Sequence, residues 1–142
     1  MGGVVPVVAA AGIVIRPGPR VLVVERGKAP LAGIWTFPGG KVRGGESIVA
    51  AVERELLEET GLRVVAGELV QVVEIVGEGY HYVIHEHLCT MLDPHQEPHP
   101  AGDVVGARFV TPNELAALGT TEETRRVLAR ALAMRHASLE DE

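Results

Sequence analysis

One stretch constrains the fold of this chain more than any other: a glycine-rich segment, residues 27–45, runs straight into a single well-bounded internal helix. Six glycines and two prolines between 27 and 45 argue against a regular helix there and predict a loop. Ser47 then offers an N-cap, residues 48–60 are mostly good helix formers, and Gly61 stands where a left-handed stop belongs. Strand-like sequence flanks this unit on both sides. Residues 4–15 are rich in Val and Ile, Pro17-Gly18-Pro19 forces a turn, and residues 21–25 resume the pattern. Residues 63–76 and 80–92 read as strands joined by a hairpin turn at Gly77-Glu78-Gly79. A proline-rich loop at 93–102 precedes a strand at 104–110. A short helix at 112–118, opened by Pro112, and a last helix at 122–135, capped by Thr121, complete the pattern. Strands on both sides of an internal helix, followed by a terminal helix, predict an α/β fold: a mixed sheet with helices packed on it.

The 142 residues suit one domain, 1–142, with the acidic tail at about 137–142 expected to be disordered. Thirteen Lys and Arg against nineteen Asp and Glu give a net charge of −6, the wrong sign for binding nucleic acid through its phosphates. A lone cysteine, Cys89, excludes an intramolecular disulfide framework. The apolar run at 4–15 is interrupted by Pro6 and is too short for a membrane helix. No Lys or Arg precedes it, as a secretory signal would require, and Pro6 replaces the Ser or Thr that a myristoylation start at Met1-Gly2 needs. The expectation is a cytoplasmic protein with neither nucleic-acid nor membrane partners.

The chemistry is concentrated between Gly39 and Leu62. Glu55, Glu58 and Glu59 fall at i, i+3 and i+4, within an arc of about 100° on one helix face. Val49, Val52 and Leu56 are expected on a separate, core-facing stripe. Like charges at this spacing repel, so such a face is either fully solvated or awaits a counter-ion, and a hard divalent cation is the natural guest. Gly39-Gly40 and Gly44-Gly45 just upstream would let backbone N–H groups approach an anion at the helix start. Together these features suggest chemistry on a metal-bound phosphate chain.

The spacing Gly40, five residues, Glu46, seven residues, then Arg54-Glu55-Leu56-Leu57-Glu58-Glu59-Thr60-Gly61-Leu62 resembles a complete Nudix box. The resemblance implies an α/β/α sandwich and Mg²⁺- or Mn²⁺-dependent hydrolysis of a nucleoside diphosphate linked to another moiety. Carried over by position, Glu55 and Glu59 would be the principal metal ligands, joined by the carbonyl of Gly39. Glu58 would serve a further ion or one of its waters. Arg54 would orient the glutamates and Glu46 would support it.

Outside the box, Arg26, Gly40, Lys41 and Tyr82 are candidate substrate contacts. Trp35, Phe37 and Tyr80 could also stack on a base, although a core role is the default for each aromatic residue. Glu97, in the proline-rich loop, is the later-loop candidate for the general base. His81, His85 and His87 share one strand face and are read as exposed or core-edge residues, since no Cys or carboxylate spacing completes a zinc site. Cys89 reads as a small buried hydrophobe. The run Ala101-Gly102-Asp103-Val104 and the strand at 80–88 loosely resemble bacterial ADP-ribose pyrophosphatases. ADP-ribose or a similar ADP-sugar is therefore the expected substrate. The alternatives are a nucleotide-pool sanitiser releasing pyrophosphate from a (d)NTP and, from another class, a non-catalytic nucleotide sensor. A homodimer is a further expectation, since such sites often lie where surfaces meet.

Overall fold

The computed structural model of the chain describes residues 3–140, apart from the side chains of residues 138–140. Met1 and Gly2, where a myristoylation start was considered, lie outside the described residues, as do residues 141–142 of the acidic tail.

The elements follow the order β1 (Val7–Arg16), β2 (Arg20–Arg26), β3 (Trp35–Thr36), β4 (Gly39–Lys41), α1 (Ile48–Thr60), β5 (Val64–Gly77), β6 (Tyr80–Met91), β7 (Val104–Val110), α2 (Pro112–Leu118) and α3 (Glu122–Glu140). β5 and β6 form an antiparallel hairpin, β6 runs parallel to β1, and β4 lies antiparallel on the other side of β1. β2 folds back from β1 and carries β3 and β7 as antiparallel neighbours. The sheet is mixed, as expected. The segment 27–45 is not wholly loop, however. β3 and β4 are held by ladder bonds to distant strands, and strands of two or three residues leave no periodic signal in the sequence.

Alternation along β1 places this strand between two cores. Ala10 and Val14 face α1, where they meet Ala51, Val52, Leu56 and Leu62. Ala11 and Ile13 point the other way, to Leu115 of α2 and to Val127, Leu128 and Ala131 of α3. Helices therefore cover both faces, giving an α/β/α arrangement. Ile13, Leu56, Leu62 and Leu115 are fully buried. Each such side chain contributes about 1.5–3 kcal/mol by leaving water.

The helix ends follow local chemistry. Ser47 Oγ accepts the Ala50 N–H at 3.1 Å. Gly61 adopts φ 75° and donates its N–H to Leu57 O, closing α1. Thr111 and Glu114 form a reciprocal capping box on α2, and Thr121 Oγ1 accepts the Thr124 N–H at 3.1 Å at the start of α3. α3 continues to Glu140, past the expected stop at 135, because no Gly or Pro interrupts residues 136–140. The first part of the expected disordered tail is thus helical.

Candidate active site

The stripe that α1 buries runs through Ile48, Ala51, Val52, Leu56 and Thr60. Val49, expected on it, is 38% exposed, because Ala51 takes the buried place in that turn. This rotation matters for the acids. Glu59 lies three residues beyond Leu56 and seven beyond Val52, so it sits beside the buried stripe and is half-buried, whereas Glu58 is turned outward and exposed.

Arg54 organises the carboxylates. Its Nε and Nη2 donate to the two oxygens of Glu46 at 2.7 and 2.9 Å, a bidentate pair. Its Nη1 donates to Glu55 Oε1 at 2.7 Å and to Glu58 Oε2 at 3.2 Å, and its Nη2 also reaches Lys41 O at 3.0 Å. The hydrogen bond from Arg54, with a second from the Arg43 N–H, holds the Glu46 carboxyl down at about 2. Arg43 adds a 3.4 Å contact to Glu58.

Glu55 and Glu59 face a cavity of about 620 Å³, together with Gly39, Gly40, Lys41, Arg26, Lys28 and Asp103. Glu59 accepts the Gly39 N–H at 3.0 Å. Burial, with the carboxylates of Glu55 and Asp103 nearby, nevertheless pushes its pKa up to about 7. Beyond this acidic end the cavity continues between apolar walls (Phe37, Val73, Ile75 and Ile84) to Glu86 of β6 and to Thr124 and Glu123 of α3.

The acidic end suits a hard divalent cation. Two partly desolvated carboxylates line this end together, and the bonds they receive from Arg54 and the Gly39 N–H leave oxygens and mutual repulsion that a cation would satisfy. A Cβ on Gly40 would lie 2.6 Å from the Glu55 carboxyl, so only glycine leaves that group its place. Among the described residues, no three acids, histidines or cysteines stand close enough to cage an ion as they are. Glu58 is instead paired with Arg43 and Arg54.

The comparisons with known proteins bear on this geometry. The model of the NUDIX domain family matches residues 6–131. This chain belongs to the NUDIX family. A Mycobacterium tuberculosis protein provisionally named 8-oxo-dGTP diphosphatase 2 is 52% identical over 58 residues, a segment spanning 40% of each chain. An ADP-ribose pyrophosphatase from Methanocaldococcus jannaschii is 42% identical over 57 residues, 40% of this chain and 33% of that one. The matched segment thus spans less than half the length of these curated relatives. The crystal structure of a MutT NUDIX hydrolase from Burkholderia pseudomallei is 29% identical, with a TM-score of 0.75, and the match covers 89% of this chain and 98% of that one.

Of the candidate residues, Gly39, Gly40, Glu55 and Glu59, with Lys41, Arg26 and Tyr82 from outside the Nudix resemblance, all lie on the cavity wall. Arg26 is steadied by a 2.6 Å bond from its Nε to Pro30 O. Glu97 is not on this wall. Both its oxygens are taken by Arg16, at 3.0 and 3.1 Å, and the Arg16 guanidinium in turn stacks 3.8 Å from the centre of the Phe109 ring. The glycines differ from expectation as well. Gly39 has no room for a Cβ against Ala10 O, and its N–H is given to Glu59, so this part of the loop serves packing rather than an open anion cradle.

Trp35 is buried, with Arg108 lying 4.8 Å above its ring, whereas Phe37 is buried but still touches the cavity. Tyr80 packs on Tyr82 with ring centres 6.1 Å apart. His81 bonds Glu74 at 2.9 Å, His87 bonds Gly67 O at 2.7 Å, and all three strand histidines are half-buried. Cys89 is buried, which pushes its thiol up to about 12, as suits an inert core residue. Sequence reasoning passed over Glu86, Asp103 and Glu123. Glu86 did carry a signal: it is an acid on the strand face otherwise formed by Tyr82, Ile84 and Leu88.

No helix among the described residues is long and apolar enough to cross a membrane.

Proposed function

We propose that this Nudix chain hydrolyses the diphosphate bond of a nucleoside diphosphate linked to another moiety, with a divalent cation, Mg²⁺ or Mn²⁺. One observation carries the reading: the partly buried carboxylates Glu55 and Glu59 line a single cavity with the cations Arg26 and Lys41. Carboxylates alone would repel a diphosphate and cations alone would merely hold one. The combination suits a phosphate chain bound through a metal and clamped from its other side.

Glu55, Glu59 and the carbonyl of Gly39 are the oxygen donors that would hold the ion, with Glu58 available once released from Arg43 and Arg54. When bound, such a cation neutralises the diphosphate and makes water a better nucleophile near neutral pH. Arg54, locked onto Glu46, fixes Glu55 at the cavity edge. Arg26 and Lys41 bind phosphate oxygens. The apolar part of the cavity receives the nucleoside and keeps water from it.

ADP-ribose or a related ADP-sugar, giving AMP and a sugar phosphate, is the first substrate reading, supported by the name of the Methanocaldococcus relative. Pyrophosphate release from an oxidised (d)NTP is the second, favoured by the higher identity of the Mycobacterium relative. Both readings are of a cytoplasmic enzyme working on free nucleotides. The test is a product-resolved panel with Mg²⁺ or Mn²⁺ containing ADP-ribose, ADP-glucose, dGTP and 8-oxo-dGTP. Glu55→Gln/Glu59→Gln serves as the control. AMP with ribose phosphate supports the first substrate, and pyrophosphate from 8-oxo-dGTP the second. Binding without any turnover would leave the sensor reading in their place.

A further inference from the structure

The far end of the cavity holds a carboxyl for which the hydrolytic chemistry has no use. Glu86 is only 7% exposed, and its Oε2 is buried with no hydrogen-bond partner. The other polar groups at this end are engaged. Thr124 Oγ1 bonds Thr36 Oγ1 at 3.1 Å and Thr121 Oγ1 at 2.9 Å, and Glu123 lies 3.8 Å from Arg126. Buried polar atoms are nearly always paired. Among the described residues His85 Nδ1 shares this state but does not line the cavity, so Glu86 Oε2 is the one that a group entering the cavity could satisfy.

Position says which part of a ligand belongs here. Glu86 stands in register with Ala11, and Ala11 with Gly39 on the opposite side of β1. Two strand spacings, about 10 Å, therefore separate the backbone at Glu86 from the edge where Glu55 and Glu59 act. One nucleoside spans such a gap from base to phosphate. Between the two ends, Phe37, Val73, Ile75 and Ile84 offer flat apolar contact to the faces of a ring.

We propose that Glu86 reads the nucleobase, its carboxyl hydrogen-bonding an edge that bears an exocyclic amino group while the phosphates lie at Glu55 and Glu59. The inference rests on the nucleotide reading of the site. An amino group suits this place because a carboxyl oxygen accepts from it whether or not the acid is ionised. Burial, with the Glu123 carboxylate near, pushes Glu86 up to about 8, so near neutral pH it is mostly the neutral acid, a donor beside an acceptor. A base without the amino group would leave Oε2 unpaired, and sites built to pair a polar group reject ligands that lack it.

Two matched pairs test this: ADP-ribose against its analogue without the 6-amino group, and 8-oxo-dGTP against 8-oxo-dITP, which lacks the 2-amino group. The unaltered protein should favour the amino-bearing member of the pair it hydrolyses by about 10-fold in kcat/KM, mainly through KM. Glu86→Leu should bring that ratio close to unity. Glu86→Gln, which still sets a donor beside an acceptor, should keep most of it. Calorimetric titration of the same proteins with AMP and GMP needs no turnover, and Glu86→Leu should weaken binding of the preferred one about 10-fold. Equal handling of both members by the unaltered protein, or a preference that survives Glu86→Leu, overturns the assignment. Absent turnover with AMP or GMP binding that depends on Glu86 would sink the hydrolase reading and leave the base reader standing. No binding of either nucleotide would overturn both.

Discussion

Two carboxyls are treated in opposite ways: Glu46, which braces the acidic end of the cavity from behind through Arg54, and Glu86 at the far end. Around α1, Glu46 is fastened by two charge-assisted bonds from Arg54 and kept ionised, its pKa held at about 2. Under β6, Glu86 has no such partner and is pushed to about 8. At the first end the chain supplies the counter-charge itself, which fixes the geometry of neighbouring acids. At the second it supplies none, which leaves hydrogen-bonding capacity open to whatever enters. An acidic end braced by Arg54 and a far end with an unpaired carboxyl suit one small molecule held at both extremities.

The largest expected effect would break the reactive end. Glu55→Gln/Glu59→Gln should lower turnover by on the order of 10³-fold, the several kcal/mol of charge stabilisation that a bound cation supplies. Millimolar Mg²⁺ should raise the Tm of the unaltered protein but not of this variant, a readout that needs no substrate. An undiminished Mg²⁺ effect on Tm would move the cation elsewhere.

Next comes the pH dependence of the recognition end. The folded Glu86 carboxyl keeps its proton up to about pH 8, against an ordinary value of 4.5. The folded state therefore binds the extra proton between these limits, and stability should fall as pH rises through that window. The loss attributable to Glu86 is on the order of a few kcal/mol. Denaturant titrations of Glu86→Gln between pH 5 and about 9 should show a flatter profile than the unaltered protein. Parallel profiles would mean that Glu86 is already ionised in the fold.

A smaller change should follow at the clamp. Arg54→Ala removes the guanidinium bonds to Glu46, Glu55 and Glu58 at once and should reduce kcat/KM about 10- to 100-fold, as loss of a ligand-orienting partner does. Arg54→Lys should not restore it, because an ammonium cannot make the forked contact to Glu46. The smallest effect belongs to Glu97→Gln. With its carboxylate bound to Arg16 and absent from the cavity wall, turnover should stay within about 2-fold, whereas a general base would lose ~10²–10⁴-fold.

How far the sequence could be read follows from the range of the forces involved. α1 was legible end to end because Ser47 and Gly61 act on their own neighbours. The same holds for Pro112 at the start of α2. β3 and β4 were not, since their bonds run to strands that only the finished fold brings near. In the site, the roles expected of Arg54 and Glu46 came from the resemblance of one local segment to the Nudix box. The place of Glu97 depends on Arg16, far away in the chain, and no spacing rule connects them. Glu86 is intermediate. Strand alternation assigns its face, but the cavity that makes an acid there meaningful is assembled from β1, β5, β6 and α3 together.

The proline-rich loop at 93–102 has a further consequence. The N–H groups of His99 and Ala101 donate to Thr60 O and Glu59 O, and the Gln96 side chain donates to Gly61 O. This segment therefore finishes the end of α1 that the helix cannot finish by itself. Surface loops ordinarily accept added or deleted residues. Here a change of even one residue would shift those donors off the carbonyls beside Glu59. Length variation in this scaffold is better tolerated at the tip between β5 and β6, where Gly79 turns the chain in open space. An engineer inserting a tag or a sensor segment would choose Gly79 and leave residues 93–102 at their present length.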